Sequence, residues 1–239
     1  MSSKLKVTDF SSSAVVRLSD SALVLPTALN AEVDQLWQAE QTRRGKALFN
    51  GKIFSAVEIT PDTILGRIVE YRHLIAQRAK PELFEALNVR PVAVSGLFEC
   101  ANGVVFGRRS GTMTQDAGLW ELCPSGGLDT SKTAAGGKMD YCAQILAELH
   151  EEIGISPDDV TEIRPFCLVD DLDSHVLDIG IALTSRLSAD EVIAIHRAAA
   201  TKEYDELLIV SHDEVAQFVK DKRGQLVVVS AALLDHMPR

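Results

Sequence analysis

Apolar residues recur at three- and four-residue intervals across 142–153, at Cys142, Ile145, Leu146, Leu149 and Ile153. That stripe predicts a helix with one face laid on a core. Its flanks agree: Asp140 suits the N-cap, Gly154 the position past the last turn, and Pro157 blocks continuation. A second stripe, at Val33, Leu36, Trp37 and Ala39, predicts a helix over 29–44 with Asn30 as its N-cap. Further helices are expected over 81–87, 190–200 and 212–221, and a final helix or strand over 226–236.

Between these helices the pattern shortens to that of strands. One strand is expected within 5–18. Residues 47–60 read as two strands joined at Asn50-Gly51, a strong hairpin signal, and 63–71 as another strand. A second hairpin is expected from 92–98 and 104–109, turning at Asn102-Gly103. Strands over 161–169, 175–184 and 207–210 follow. The alternation of strands and helices points to an α/β layered fold.

Composition narrows the class. The 239 residues are 46% hydrophobic and 24% charged, ordinary values for a globular chain, and no apolar run reaches the roughly 18 residues of a membrane span. The amino terminus carries no signal-like apolar core, so the cytoplasm is the expected location. The four cysteines form no C-x-x-C pair, which argues against a zinc site or disulfide framework and for buried free thiols. The net charge of −10 argues against a nucleic-acid partner. That charge is uneven: residues 1–92 hold 12 basic against 10 acidic groups, and residues 93–239 hold 12 against 24. This suggests a smaller α+β region over 1–91 in front of an acidic domain over 92–239.

The acidic domain holds the most informative run, Ala147-Glu148-Leu149-His150-Glu151-Glu152-Ile153-Gly154-Ile155. On a helix Glu148, Glu151 and Glu152 stand at i, i+3 and i+4, where like charges repel by roughly 0.2–0.5 kcal/mol per pair. A divalent cation over them would reverse the sign of that interaction, and carboxylate oxygens suit Mg²⁺ or Mn²⁺. The plainer alternative is a solvated acidic face. Upstream, Trp120 to Gly127 reads as a short strand entering a Gly-Gly turn, where backbone can approach a ligand closely.

A strand, a glycine loop and then a Glu-x-x-Glu-Glu helix resembles the Nudix hydrolases, whose signature is G-x5-E-x7-R-E-U-x-E-E-x-G-U, with U aliphatic. Glu148, Leu149, Glu151, Glu152, Gly154 and Ile155 match its second half, and Gly127 its opening glycine. Six extra residues lie between the halves, within 130–137. The signature's first Glu falls on Met139, with Asp140 beside it, and its Arg falls on Ala147. The chain thus resembles an atypical member. A weaker resemblance is to a subgroup hydrolysing UDP-sugars, in which a phrase like Phe49-Asn50-Gly51-Lys52-Ile53-Phe54 precedes the catalytic domain.

The resemblance implies an α/β/α sandwich with a mixed sheet and a metal-dependent pyrophosphatase. The substrate would be a small-molecule nucleoside diphosphate derivative, with a nucleotide sugar such as UDP-glucose as first choice. It implies Glu148, Glu151 and Glu152 as ligands of Mg²⁺ or Mn²⁺, with the Gly126 carbonyl, and Glu148 or Glu152 as general base. Glu203 is the expected extra carboxylate ligand, Asp205 and Glu206 standing beside it and Asp170, Asp171 and Asp173 competing for the role. Arg108 and Arg109, ending a strand, are expected to contact phosphates, ahead of Arg43, Arg44 and Lys52. A homodimer is left open. The rival reading is a nucleotide-binding or regulatory module that kept the fold without the chemistry. A third, an isomerase of a diphosphate ester, would need Cys123.

Overall fold

The computed structural model describes residues 4–44, 48–113, 115–199, 201 and 203–237. In chain order the strands are β1 (Leu5–Asp9), β2 (Val15–Leu18), β3 (Lys52–Ile59), β4 (Thr63–Glu70), β5 (Val92–Cys100), β6 (Gly103–Arg109), β7 (Trp120–Leu122), β8 (Ser125–Gly127), β9 (Lys138–Met139), β10 (Val160–Asp171), β11 (Leu177–Ser185) and β12 (Tyr204–Val210). The helices are α1 (Thr27–Arg44), α2 (Tyr71–Ala79), α3 (Phe84–Leu87), α4 (Tyr141–Ile153), α5 (Ala189–Ala199), α6 (Val215–Lys222) and α7 (Val228–Asp235). The α/β expectation is borne out.

A mixed sheet in the order β1-β10-β11-β5-β6-β12 forms the centre, with β7 added to β6 and β8 to β5. Strand β11 runs parallel to β5 and the other pairings are antiparallel. Helix α4 buries Ile145, Leu149 and Ile153 against Val94 and Phe98 of β5, on one face of the sheet. On the other face Val215 and Val219 of α6 and Ala232 and Leu233 of α7 pack on Leu97, Phe106 and Leu122. These layers follow from residues pointing to alternate faces along β5.

A second sheet, β3-β4-β2-β9, carries α1 and α2, whose apolar core includes Val33, Val69, Leu74 and Leu87. The chain crosses between the two sheets four times, after β1, β4, β8 and β9. Strand β1 pairs with β10 of the main sheet, and β9, which follows the expected six-residue insertion, pairs through Met139 with Val16 of β2. The insertion itself contains two short 3₁₀ turns, Thr130–Lys132 and Ala135–Gly137.

The front part departs most from the sequence reading. Two strands stand within 5–18 where one was expected. Helix α1 starts at Thr27, so Asn30 lies inside it and accepts a hydrogen bond from Arg72. Asn50-Gly51 makes no hairpin. The Asn50 side chain instead donates to Glu70 at 2.7 Å and accepts from the Arg72 backbone N–H at 2.9 Å, which holds the start of α2. The hairpin turns at Thr60, whose N–H donates to the Thr63 carbonyl. Ala47, the expected start of the first strand, lies outside the described residues, as does Ala200, the expected end of α5. Helix α2 shows no stripe because His73 to Gln77 are buried in succession. Within 226–236 the chain forms helix α7, Val228–Asp235, preceded by a bridge from Leu226 to Trp120.

Candidate active site

Local sequence builds α4 as expected. The Asp140 carboxylate accepts the Ala143 N–H at 2.9 Å, and Gly154 closes the helix at φ 91°, a left-handed conformation that costs glycine little. Asp140 is therefore an exposed cap. Met139, where the signature has its first Glu, is a strand residue only 1% exposed.

The three glutamates of the helix do not share one environment. Glu151 is exposed, Glu148 half-buried and Glu152 buried. Helical spacing makes 148 and 152 successive residues along one edge, facing the sheet, while 151 turns outward. Glu148 lies directly on Gly126 of β8: a Cβ there would fall 2.2 Å from its Oε1. Gly126 is thus part of a strand rather than a turn, and any side chain there would have to displace the Glu148 carboxylate that occupies the space. Gln144, one turn earlier, donates to Glu148 at 2.6 Å.

Glu152 is enclosed by β8 and β12. Its Oε2 accepts the Tyr204 hydroxyl at 2.8 Å and the Ser125 N–H at 3.2 Å. Tyr204 reaches it by lying across Gly107, where any Cβ would fall 2.4 Å from the ring. Burial pushes the Glu152 carboxyl up to about 9 against the opposing Tyr204 hydrogen bond, and the negative charges of Glu121, Glu148 and Glu203 push the same way. Burial, with Glu121 and Glu152 beside it, raises the Tyr204 phenol well above its ordinary value, so it remains a donor.

Two residues that sequence reasoning passed over complete the surroundings. Glu121 of β7 is buried, accepts the Ser125 hydroxyl at 2.8 Å, and is ion-paired with Arg109. Burial raises its carboxyl and Arg109 opposes this. The signal in the sequence was a lone carboxylate between Trp120 and Leu122 in an apolar strand. Tyr204 gave no signal, since its role depends on β12 being paired with β6.

The arginines separate as strand alternation requires. Arg108 is exposed, 4.0 Å from Glu206. Arg109, half-buried at the end of β6, pairs with both Glu121 and Glu203, the latter at 3.3 Å. Glu203 stands at the entrance to β12, while Asp205 and Glu206 belong to the strand and are exposed. Among the rival acids, Asp170 pairs with Arg90 and Asp171 accepts the Asp173 and Ser174 N–H groups in a turn. Arg43 and Arg44 pair with Glu40, and Lys52 begins β3. Cys123 is fully buried; burial first, then Glu152 and Glu121, raise its thiol well above the ordinary value, which argues against a nucleophile.

Among the described residues, no three of His, Cys, Asp and Glu converge on one point that would hold a metal. Mg²⁺ needs no such cage, being commonly held by one or two carboxylates together with substrate phosphates and water. The donor set here fits that mode: hard oxygens on Glu148 and Glu152, with the negative charges of Glu121, Glu148 and Glu203 bearing on Glu152.

The arrangement of elements is similar to that of solved structures. A protein of Deinococcus radiodurans, DR0079, matches with a TM-score of 0.50 at 12% identity, over 79% of this chain and all of that one. A MutT NUDIX hydrolase from Burkholderia pseudomallei matches at 0.43 and 17%, over 62% of this chain and 98% of that one. A MutT protein from Methanosarcina mazei matches at 0.40 and 19%, over 61% and 90%. Nudix hydrolases are thus among the solved structures to which this chain is similar. At these identities the likeness concerns the fold, and the argument about chemistry rests on the residues above. No protein-family model matches the chain, and no curated protein matches it. Among the described residues no helix is long and apolar enough to cross a membrane.

Proposed function

We propose that the chain is a metal-dependent pyrophosphatase that hydrolyses a nucleoside diphosphate linked to another group. The carrying observation is the pair Glu148 and Glu152 on one edge of α4, the first laid on the bare backbone of Gly126 and the second buried beside a hydroxyl donor. Glu148, Glu152 and the Gly126 carbonyl would hold Mg²⁺ or Mn²⁺, with Glu151 at the rim and Glu203 as a further carboxylate. The ion, when bound, supplies neutralisation of phosphate charge and a more acidic water.

The chain's own residues do the rest. The Tyr204 hydroxyl and the Ser125 N–H fix the Glu152 carboxyl in place. Once ionised, Glu152 can accept a proton; Glu148 is the alternative base. Arg108, exposed at the end of β6, would supply a phosphate contact. Nucleotide sugars, UDP-glucose among them, are the first substrates to assay.

The test is phosphate release through a coupled phosphatase, with Mg²⁺ or Mn²⁺ present or removed by EDTA. The panel holds nucleotide sugars, ADP-ribose, dinucleotide cofactors and nucleoside triphosphates. Metal-dependent release from one class is expected. Tight nucleotide-sugar binding with no product over hours would replace this reading by the binding module, which Met139 and Ala147 at two signature positions favour.

A further inference from the structure

Helix α4 carries no cation on its site edge. Position 147 is alanine, and the neighbouring side chains there are Gln144, Glu148, Glu151 and Glu152. Three buried or half-buried carboxylates, Glu121, Glu152 and Glu203, nevertheless lie close together, the charge of Glu203 bearing on Glu121 and those of Glu121 and Glu203 on Glu152. Such a set is costly unless a cation is built into it.

The cation comes from a strand. The Arg109 guanidinium is 12% exposed and bridges Glu121 of β7 and Glu203 before β12, while its Nε donates to the Gln115 carbonyl at 3.3 Å. From Glu121 the contacts continue through one residue: the Ser125 hydroxyl donates to Glu121, and the Ser125 N–H donates to Glu152. Tyr204 follows Glu203 directly and donates to Glu152 from the opposite side. Both supports of the Glu152 carboxyl are therefore attached to groups that Arg109 holds.

We infer that Arg109 is the positioning residue of this site, fixing Glu152 through Glu121 and Ser125 on one side and through Glu203 and Tyr204 on the other, from a strand instead of from the glutamate helix. The inference rests on the pyrophosphatase reading. It also assigns Arg109 away from phosphate binding, since its fork is already committed to two carboxylates and an arginine so held keeps its geometry.

The experiment compares wild type, R109K and the double variant R109M/E121Q on whichever substrate the wild type hydrolyses. R109M alone would leave the Glu121 carboxylate buried without its ion-pair partner and destabilise the fold, so the double variant removes both charges at once. It is expected to keep the wild-type far-UV spectrum and cooperative unfolding, yet to lose at least thirtyfold in kcat with KM changed less than threefold. R109K keeps the charge without the planar fork and is expected between the two. A folded double variant with near-wild-type kcat overturns the positioning role and leaves the pyrophosphatase reading intact. So does a loss confined to KM, which would mark Arg109 as a substrate contact. Silence of the wild type across the whole substrate panel removes the pyrophosphatase reading itself, and this inference with it.

Discussion

Replacing Glu152 by Gln separates the cost of the site from its use. The Glu152 carboxyl stands at about 9 in the folded chain against an ordinary value of 4.5. Below pH 4.5 both folded and unfolded chains hold the proton and nothing is lost. Above it the unfolded chain releases a proton that the folded chain keeps, so stability falls as pH rises, until about pH 9. At about 1.36 kcal/mol per pH unit, the loss reaches about 3 kcal/mol at pH 7. Glutamine has the same shape and a carbonyl oxygen for the Tyr204 hydroxyl and the Ser125 N–H, and no charge to bury. E152Q should therefore be the more stable protein at pH 7 by about 3 kcal/mol, a rise of roughly 6–12 °C in Tm for a chain of this size. It should also lose activity by roughly a hundredfold, the scale for removing a general base. The assay is urea unfolding of both proteins in EDTA at pH 5, 7 and 9, together with turnover in Mg²⁺. The stability gap should be small at pH 5 and widen steadily to pH 9. Parallel pH curves, or a variant less stable than wild type at pH 7, would refute the burial argument.

Three other outcomes follow from single contacts. G126A places a methyl group in the space of the Glu148 carboxylate, the far end of a flexible side chain, so the fold should hold within about 1 kcal/mol of wild type while metal-dependent turnover falls at least about tenfold; calorimetry and the phosphate assay read the two effects. M139E restores the residue type of the resembled signature but buries a charge at a position only 1% exposed, so it should cost roughly 3 kcal/mol or more and add no activity, as thermal unfolding and kinetics would show. Asp178 is raised from 3.8 to about 6, by burial first and by Glu121 and Asp171 besides, with the Ser95 hydroxyl opposing; it therefore subtracts up to about 3 kcal/mol of stability as pH climbs from 4 to 6. D178N should make the fall across this range shallower by that amount, leaving the part due to Glu152, and be more stable than wild type at pH 7, measured by urea unfolding across the same range.

The sequence alone determined the parts whose physics is local. The stripe of α4, its cap at Asp140 and its stop at Gly154 are set by contacts within a few residues, so spacing was enough to find them. Strand alternation already required one of Arg108 and Arg109 to face solvent. The same reasoning failed at Asn50-Gly51, where the Asn side chain found distant partners in Glu70 and Arg72, and at α2, which is buried all round and so shows no stripe. Only the tertiary structure decided that Glu151 turns outward while Glu152 is enclosed, because that depends on where β8 and β12 lie. Only it brought Arg109, Glu121, Ser125 and Tyr204, drawn from four strands, around one carboxylate. Burial is a property of the assembled chain, and the charge state of a carboxyl follows from burial. Residue type and spacing therefore located the glutamates, and packing decided their chemistry.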